Sequence, residues 1–381
     1  MATHHADVVI IGGGTMGTAA GWAIARQGGS VAVLERFDHV HAFGSHGGRT
    51  RIFRHAYAEG ATYVPWALEA DRLWTGVQER TGTTFMHRVG CIDVSGPGYN
   101  RAREARASAD AYGLSHEWLT GADVRERWPI WKIEDDREIC YGPDAGFLDV
   151  EIGLRALGRE LVEAGGTIFI GTAVTGWSAS ADGVEVTAAN GDTWSGDRLI
   201  VTAGAWAGKM LSGLGIPLEV RRKPIAWFEV DATSAGLIKP DAMPVYISDD
   251  AYGEFYGFPH YHDPGIKIGM HSGGAVVDPD TIDRVVTEVD THTDILPFAQ
   301  RSFRGITGKV LKSAVCMYTL TPDEDFIIDR HPEHERVALA AGFSGHGYKF
   351  APVVGDHLAS LALDPSTATI PTFAISRFPA S

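Results

Sequence analysis

The sequence predicts an α/β fold class: a Rossmann-like nucleotide-binding domain interleaved with an α+β domain on a largely antiparallel sheet. Three observations carry that expectation. A buried-strand pattern, a glycine triplet and a helical pattern follow one another within residues 7–27. Apolar strand patterns return near the C-terminus, at 326–328 and 337–341. Between them runs sequence of alternating polarity punctuated by turn signals.

Residues 7–11 form a short apolar run bounded by Gly12-Gly13-Gly14, as a strand buried on both faces does. From 15 to 27, Met16, Ala19, Ala20, Ala23 and Ile24 recur at helical spacing, and Gly28-Gly29 stops the helix. Residues 30–35 are a second buried strand, completing a βαβ unit. A helix is expected at 151–164. Short strands follow over 167–203, with turns at Ala181-Asp182-Gly183 and Asn190-Gly191-Asp192. Further strands are expected at 216–231, 254–258, 265–271 and 312–319. In 265–271, Ile266 and Ile268 take one face, and Lys267, Gly269 and His271 the other. The strand at 337–341 runs into a glycine-rich turn at 342–347, and 353–363 reads as a helix.

A chain of 381 residues exceeds one ordinary core and implies about two domains. Residues 1–84, 146–217 and 325–381 are assigned to the nucleotide domain, and 85–145 and 218–324 to a substrate domain. A net charge of -15 disfavours nucleic acid and anionic membrane as partners. No apolar stretch approaches the ~18 residues of a membrane span. Cys91, Cys140 and Cys316 are too few and scattered for a disulfide framework or zinc site. With no signal peptide pattern and no Ser-Lys-Leu terminus, the expected compartment is the cytoplasm. His331-x-x-His334 is half a metal site at most, because Pro332 breaks helical ligand geometry, so no metal is expected.

Gly12-x-Gly14-x-x-Gly17 follows a strand and opens a helix, and Gly21 extends the motif. Gly12 permits the tight turn, Gly14 lets backbone approach a pyrophosphate, and Gly17 and Gly21 let the helix lie close to the sheet. The helix N-terminus offers free N–H groups and positive dipole to the diphosphate. Glu35, at the end of the second strand, can accept from ribose hydroxyls and repels a 2′-phosphate. The motif alone does not separate FAD from NAD.

Three segments narrow the choice. Residues 44–57 (GSHGGRTRIFRHAY), 313–319 (SAVCMYT) and 342–350 (GFSGHGYKF) resemble the flavin loop, flavin-attachment strand and active-site turn of the monomeric sarcosine oxidase and N-methyltryptophan oxidase family. The matches run in the family's order across nearly the whole chain. The resemblance implies an FAD-dependent amine oxidase, a monomer, with a small amine substrate and oxygen as partners. It also implies cofactor contacts at Thr15, Met16, Arg36, Ser45, Thr50, Arg51, Val174, Gly345, His346, Gly347 and Lys349, besides the fingerprint residues Gly12, Gly14, Gly17 and Glu35.

Cys316 matches the cysteine that bonds the flavin as a thioether, a reaction that needs a thiolate and is helped by a nearby cation. On residues alone, a buried packing cysteine fits as well, as it does for Cys91 and Cys140. Tyr318, two residues on, shares the face of Cys316. Arg54 and Lys349 match the pair that clamps the substrate carboxylate, a fork plus a point charge. Arg51 precedes Arg54 by three, so on a helical turn both face one way, and the matching arginine lies against the flavin. Lys267 matches the lysine that activates oxygen; a solvated edge-strand lysine is the alternative. Tyr256 and His271 match cavity residues.

The chain departs from the family in its flavin loop. Gly47 follows His46 where many members carry a second histidine, and Arg49 replaces a commonly acidic neighbour. The reaction implied is oxidation of a secondary amino acid at its N-methyl carbon, giving primary amino acid, formaldehyde and hydrogen peroxide. The rivals are a same-fold oxidase of a bulkier or cyclic amine (N-methyltryptophan, pipecolate, a fructosyl amino acid), a dehydrogenase with another acceptor, and a non-catalytic nucleotide-binding module.

Overall fold

The structure, a computed structural model, describes residues 1–378. Pro379, Ala380 and Ser381, read above only for lacking a peroxisomal address, lie outside the described residues. A six-stranded sheet runs in the order Thr167–Phe169, Val31–Leu34, Val8–Ile11, Arg198–Val201, Val337–Ala341, Ile327–Arg330. The first five strands are parallel, and the last is an antiparallel edge. Alternate side chains of these strands bury in two different cores, which is why they read as unbroken apolar runs. Val8, Ile10 and Val33 pack on one side with the helices Thr15–Ala25, Val150–Glu163, Ala351–Leu363 and Val64–Thr81. Val9, Ile11 and Leu34 pack on the other with Val184, Val186 and Trp194 of a small four-stranded sheet.

An eight-stranded sheet follows the order Ile306–Leu320, Glu219–Val230, Ile266–Met270, Gly253–Phe258, Val245–Asp250, Cys91–Ser95, Glu138–Gly142, Glu117–Leu119. Every pairing is antiparallel except that of Val245–Asp250 with Cys91–Ser95. One face packs on an aromatic core that includes Trp131, Phe228, Tyr246, Phe255, Phe298 and Phe303. The opposite face presents Lys267, Tyr256 and Tyr318 toward a three-stranded sheet made of Thr50–Phe53, Gly146–Asp149 and Met86–His87.

The expected βαβ unit and the strands at 167–201 and 326–341 are present. The strand expected at 312–319 runs from Ile306 to Leu320 and pairs along the whole of Glu219–Val230. No element is expected above between 36 and 150, yet the structure builds the helices Val64–Thr81 and Arg101–Tyr112 and six of the strands just given within that span. Val64–Thr81 buries Ala67, Ala70, Leu73, Trp74 and Val77, a helical stripe broken by no glycine but Gly76. No helix of the described residues is long and apolar enough to cross a membrane, and none of their His, Cys, Asp and Glu clusters could hold a metal ion.

Candidate functional site

The glycine motif is shaped by contacts that leave no room for side chains. Gly12 has φ of 95°, and a Cβ there would collide with the Thr202 carbonyl oxygen. A Cβ on Gly17 would collide with the carbonyl oxygen of Gly12, so the helix starts against the turn itself. A Cβ on Gly21 would run into Leu161 and come within 2.8 Å of Val33, where the helix crosses the sheet. Gly14 differs: the nearest atom to its Cβ position is His46 Cε1 at 4.0 Å, so the backbone faces an open cavity. Gly14 is also the N-cap of Thr15–Ala25 and offers no side-chain cap, which leaves the first N–H groups for a ligand.

This cavity is lined by Gly12, Gly14, Thr15, Met16, Glu35 and Arg36 at one end. Val174 is midway, and Ser45, Arg51, Tyr318, Gly345 and Gly347 lie toward the other end. Glu35 is buried, and its carboxylate accepts from the Phe37 N–H at 2.9 Å with one oxygen. Two buried polar atoms on the wall, His46 Nε2 and Thr319 Oγ1, have no partner among the described residues. Burial pushes the His46 imidazole down to about 3, so it is neutral. An elongated dinucleotide with its diphosphate at Gly14 and an aromatic ring near Tyr318 fits these donors and acceptors.

Cys316, 2% exposed, does not itself line the cavity but lies against its wall residues Ser45 and Arg51. Its thiol donates to the Ser45 carbonyl at 3.2 Å, and Arg51 Nη2 lies 3.4 Å from the sulfur. The cation that attachment calls for is therefore in place. Arg51 is fixed by the carbonyls of Thr50, Ser45 and Gly47. Residues 50–53 are a strand, not the helical turn considered above. Arg51 and Arg54 still meet one cavity because Arg54 lies just past the strand end. Gly47 supplies a carbonyl to Arg51, while Arg49, at φ 66°, pairs with Asp149 at 3.0 Å.

Thr50 and Gly17 do not line the cavity. Lys267 Nζ donates to Thr50 Oγ1 (2.9 Å), Thr50 O (3.1 Å) and Gly48 O (2.7 Å). Thr50 thus holds a lysine where a direct cofactor contact was expected. Lys267 is 2% exposed on a strand flanked on both sides, which rules out a solvated edge position. Burial, with Arg51 nearby, pushes its amine well below the ordinary value, while the acceptors and the Phe258 ring at 4.3 Å favour its charge.

A second, smaller cavity of about 60 Å³ adjoins the first across Arg51, Tyr318, Gly345 and Tyr348. Arg54, Lys349, Tyr256, His271 and His346 line it. His346 and Lys349, expected at the cofactor, lie on this cavity instead. The Tyr57 hydroxyl accepts from Lys349 Nζ at 3.1 Å and pairs with His346 Nδ1 at 2.7 Å. His346 Nε2 pairs with the Glu324 carbonyl at 3.2 Å, which requires the proton on Nε2. Burial pushes His346 down to about 3 and lowers His271 as well, so both rings are neutral. His271 Nδ1 lies 3.3 Å from the Tyr318 hydroxyl. Burial, reinforced by Arg54, pushes the Lys349 amine down to about 7.

Four charged residues here had no place in the sequence reading: Glu59, Asp93, Arg101 and Glu254. Glu59 takes both its oxygens to Arg54 Nη2 at 2.6 and 2.5 Å. Arg101 reaches Glu59 at 3.4 Å, Asp93 at 3.8 Å and Glu254 at 2.7 Å. Burial raises Asp93 to about 6 against the pull of Arg54 and Arg101. Arg54 Nε is buried and has no partner among the described residues. No spacing in the sequence announces these pairs, since they join residues from four separate elements.

The chain belongs to a family of FAD-dependent oxidoreductases: the family model described as "DAO: FAD dependent oxidoreductase" matches residues 7–361. A monomeric sarcosine oxidase of Bacillus sp. (strain NS-129) is 39% identical over 384 residues, covering 99% of this chain and 98% of that protein. An N-methyl-L-tryptophan oxidase of Yersinia pestis (strain Pestoides F) is 34% identical, covering 98% of this chain and 99% of its own length. Among solved structures, NikD, an unusual amino acid oxidase essential for nikkomycin biosynthesis, superposes with a TM-score of 0.84 at 24% identity, over 97% of each chain. Glycine oxidase from Geobacillus kaustophilus gives 0.80 at 22%, over 99% of this chain and 100% of that one. These two likenesses bear on the fold alone.

Proposed function

We propose that this FAD-dependent oxidoreductase oxidises a secondary amino acid such as sarcosine at its N-methyl carbon, with oxygen as acceptor and Cys316 as the covalent attachment point of the flavin. One observation carries the reading. Two buried cations, Arg54 and Lys349, converge with Tyr256, Tyr318, His271 and His346 on a small cavity that adjoins the cofactor cavity. The relatives named for sarcosine and for N-methyl-L-tryptophan support the same chemistry. The bound flavin would supply the two-electron acceptor.

Arg54 and Lys349 bind the substrate carboxylate, Lys349 as a point charge and Arg54 through the donors that now face Glu59. The substrate amine reacts neutral, because its nitrogen lone pair must be free to form the imine, and the neutral His271 and His346 rings add no charge beside it. The N-methyl C–H bond gives up two electrons and its proton, formally as hydride to the bound two-electron acceptor, and the nitrogen loses its N–H proton, leaving an imine. Water then cleaves the imine to primary amino acid and formaldehyde. Lys267, fixed by Thr50 and Gly48, places a cation where oxygen takes up charge.

The reading is tested by peroxide release in air from sarcosine and from N-methyltryptophan at matched concentrations. Peroxide with sarcosine and a yellow acid-precipitated pellet that turns colourless in Cys316→Ala is the expected result. No peroxide from either amine, with flavin bound, overturns the substrate and acceptor assignment. A colourless wild-type pellet overturns the covalent attachment.

A further inference from the structure

We propose that the substrate is larger than sarcosine: a secondary amino acid whose side chain leaves the inner cavity past Glu254 and carries a hydrogen-bond-donating cation, an ammonium or guanidinium, that Glu254 binds. This rests on the amine oxidation proposed above and names the substrate class of that same site.

The inner cavity of about 60 Å³ is not closed. Glu254 and His271 belong both to its wall and to that of a much larger outer cavity of about 940 Å³. A group held at Arg54 and Lys349 therefore has one polar neck through which a side chain can extend. The walls beyond it include Leu218, Val220, Val276 and Leu320, which suit the methylenes of a long side chain.

The polar atoms of the neck differ in how fully they are engaged. Lys223 Nζ, 3% exposed by residue, donates to the carbonyls of His271 (2.5 Å), Ser272 (3.1 Å) and Gly273 (2.6 Å). Those bonds use its three protons and occupy the three carbonyls. It also lies over the Tyr318 ring at 4.9 Å. His271 faces Tyr318. Ser272 Oγ accepts from the Glu254 N–H at 3.1 Å. Glu254 remains: Oε1 accepts from Arg101 at 2.7 Å, and Oε2 has no partner among the described residues. Its side chain is 22% exposed, open to the cavities yet held in place by Arg101. A carboxylate fixed in the neck by Arg101, beside a lysine whose protons are all engaged, selects a donor on the ligand. A carboxylate tail would be repelled by Glu254, with only the Ser272 hydroxyl and the second His271 ring nitrogen to meet it, and an apolar tail would leave the Glu254 oxygen unpaired.

The test compares kcat/KM for sarcosine, Nα-methyl-lysine, N-methyl-2-aminoheptanoate (a methyl in place of the ammonium) and N-methylglutamate. We expect Nα-methyl-lysine to exceed the methyl analogue about tenfold, the size of a charged hydrogen bond in a partly wet neck. N-methylglutamate ranks last. In Glu254→Gln the ratio of lysine to methyl analogue falls to near one, and in Glu254→Asp it is partly kept. Turnover of the N-methyl series with no preference for the cationic member, or with N-methylglutamate favoured, overturns the inference and leaves the amine oxidation standing. No turnover of any of the four, sarcosine included, overturns both. The wild-type series decides the matter even if the Glu254 variants do not fold.

Discussion

The nucleotide cradle and the substrate cavity share a wall but are built in opposite ways. The cradle is local: Gly12, Gly14 and Gly17 lie within six residues, and each is defined by what its missing side chain permits. The cavity is assembled from distant segments, and its charges answer one another. Arg54 faces Glu59, and Arg101 joins Glu59, Asp93 and Glu254. The first tolerates no added atom at Gly12 or Gly17. The second tolerates substitutions that keep the charges matched. The difference teaches that a nucleotide cradle is a problem of close approach, whereas a cavity lined by buried charges is one of electrostatic compensation.

The largest expected effect comes from adding one carbon to the cradle. In Gly17→Ala the new Cβ runs into the Gly12 carbonyl, backbone against backbone, with no flexible side chain to yield. The helix must move off the turn, and its N–H groups leave the diphosphate position. We expect flavin content per protein, read by absorbance, to fall at least tenfold. Normal flavin content in Gly17→Ala breaks the contrast.

A loss of intermediate size is expected in the cavity, and there a second change repairs part of it. Arg54→Met leaves Asp93, 4% exposed, with Arg101 as its remaining cation. Breaking a buried charge cluster on one side costs about 3 kcal/mol. Affinity for a simple carboxylate inhibitor falls about 10- to 100-fold. Arg54→Met/Asp93→Asn recovers stability but not affinity, as measured by denaturant midpoint and inhibitor titration. Recovery of both in the double variant would mean that Arg54 serves the fold and not the ligand.

The same contrast explains what was legible. The βαβ unit, the parallel strands and Gly12 to Gly21 are readable because period, turn chemistry and close packing are written into contiguous residues. Lys267 and His271 were placed on one face by the period of a strand, and the structure shows why that matters: Gly269 between them yields space to the Tyr256 ring. Thr50 is a cofactor contact only by family resemblance, and in the structure it lies against Lys267, a partner 217 residues away. Glu59 escaped notice altogether. Its residue is exposed while its carboxylate turns inward, and nothing in sequence separates that from an ordinary solvated glutamate.

The smallest effect is a titration that sharpens the comparison by isolating one charge. Burial holds the Lys349 amine down at about 7, with Arg54 adding to the push. A bound carboxylate favours the charged form, so the amine's pKa is higher in the complex than in the free protein. Binding therefore takes up a proton between the two values. Affinity is full below about 7 and falls as pH rises through the free-protein value, by at most tenfold per pH unit. It levels once the complex too has lost the proton, about 10- to 100-fold weaker. An inhibitor with a carboxylate and no amine keeps the substrate's own titration out of the measurement. In Lys349→Met the profile is flat and lies at the weak plateau. Asp93 titrates nearby, at about 6, so a step that moves with Asp93→Asn and survives Lys349→Met belongs to the carboxylate cluster instead. That outcome would place the pH response with the residues behind the clamp and remove Lys349 from carboxylate binding.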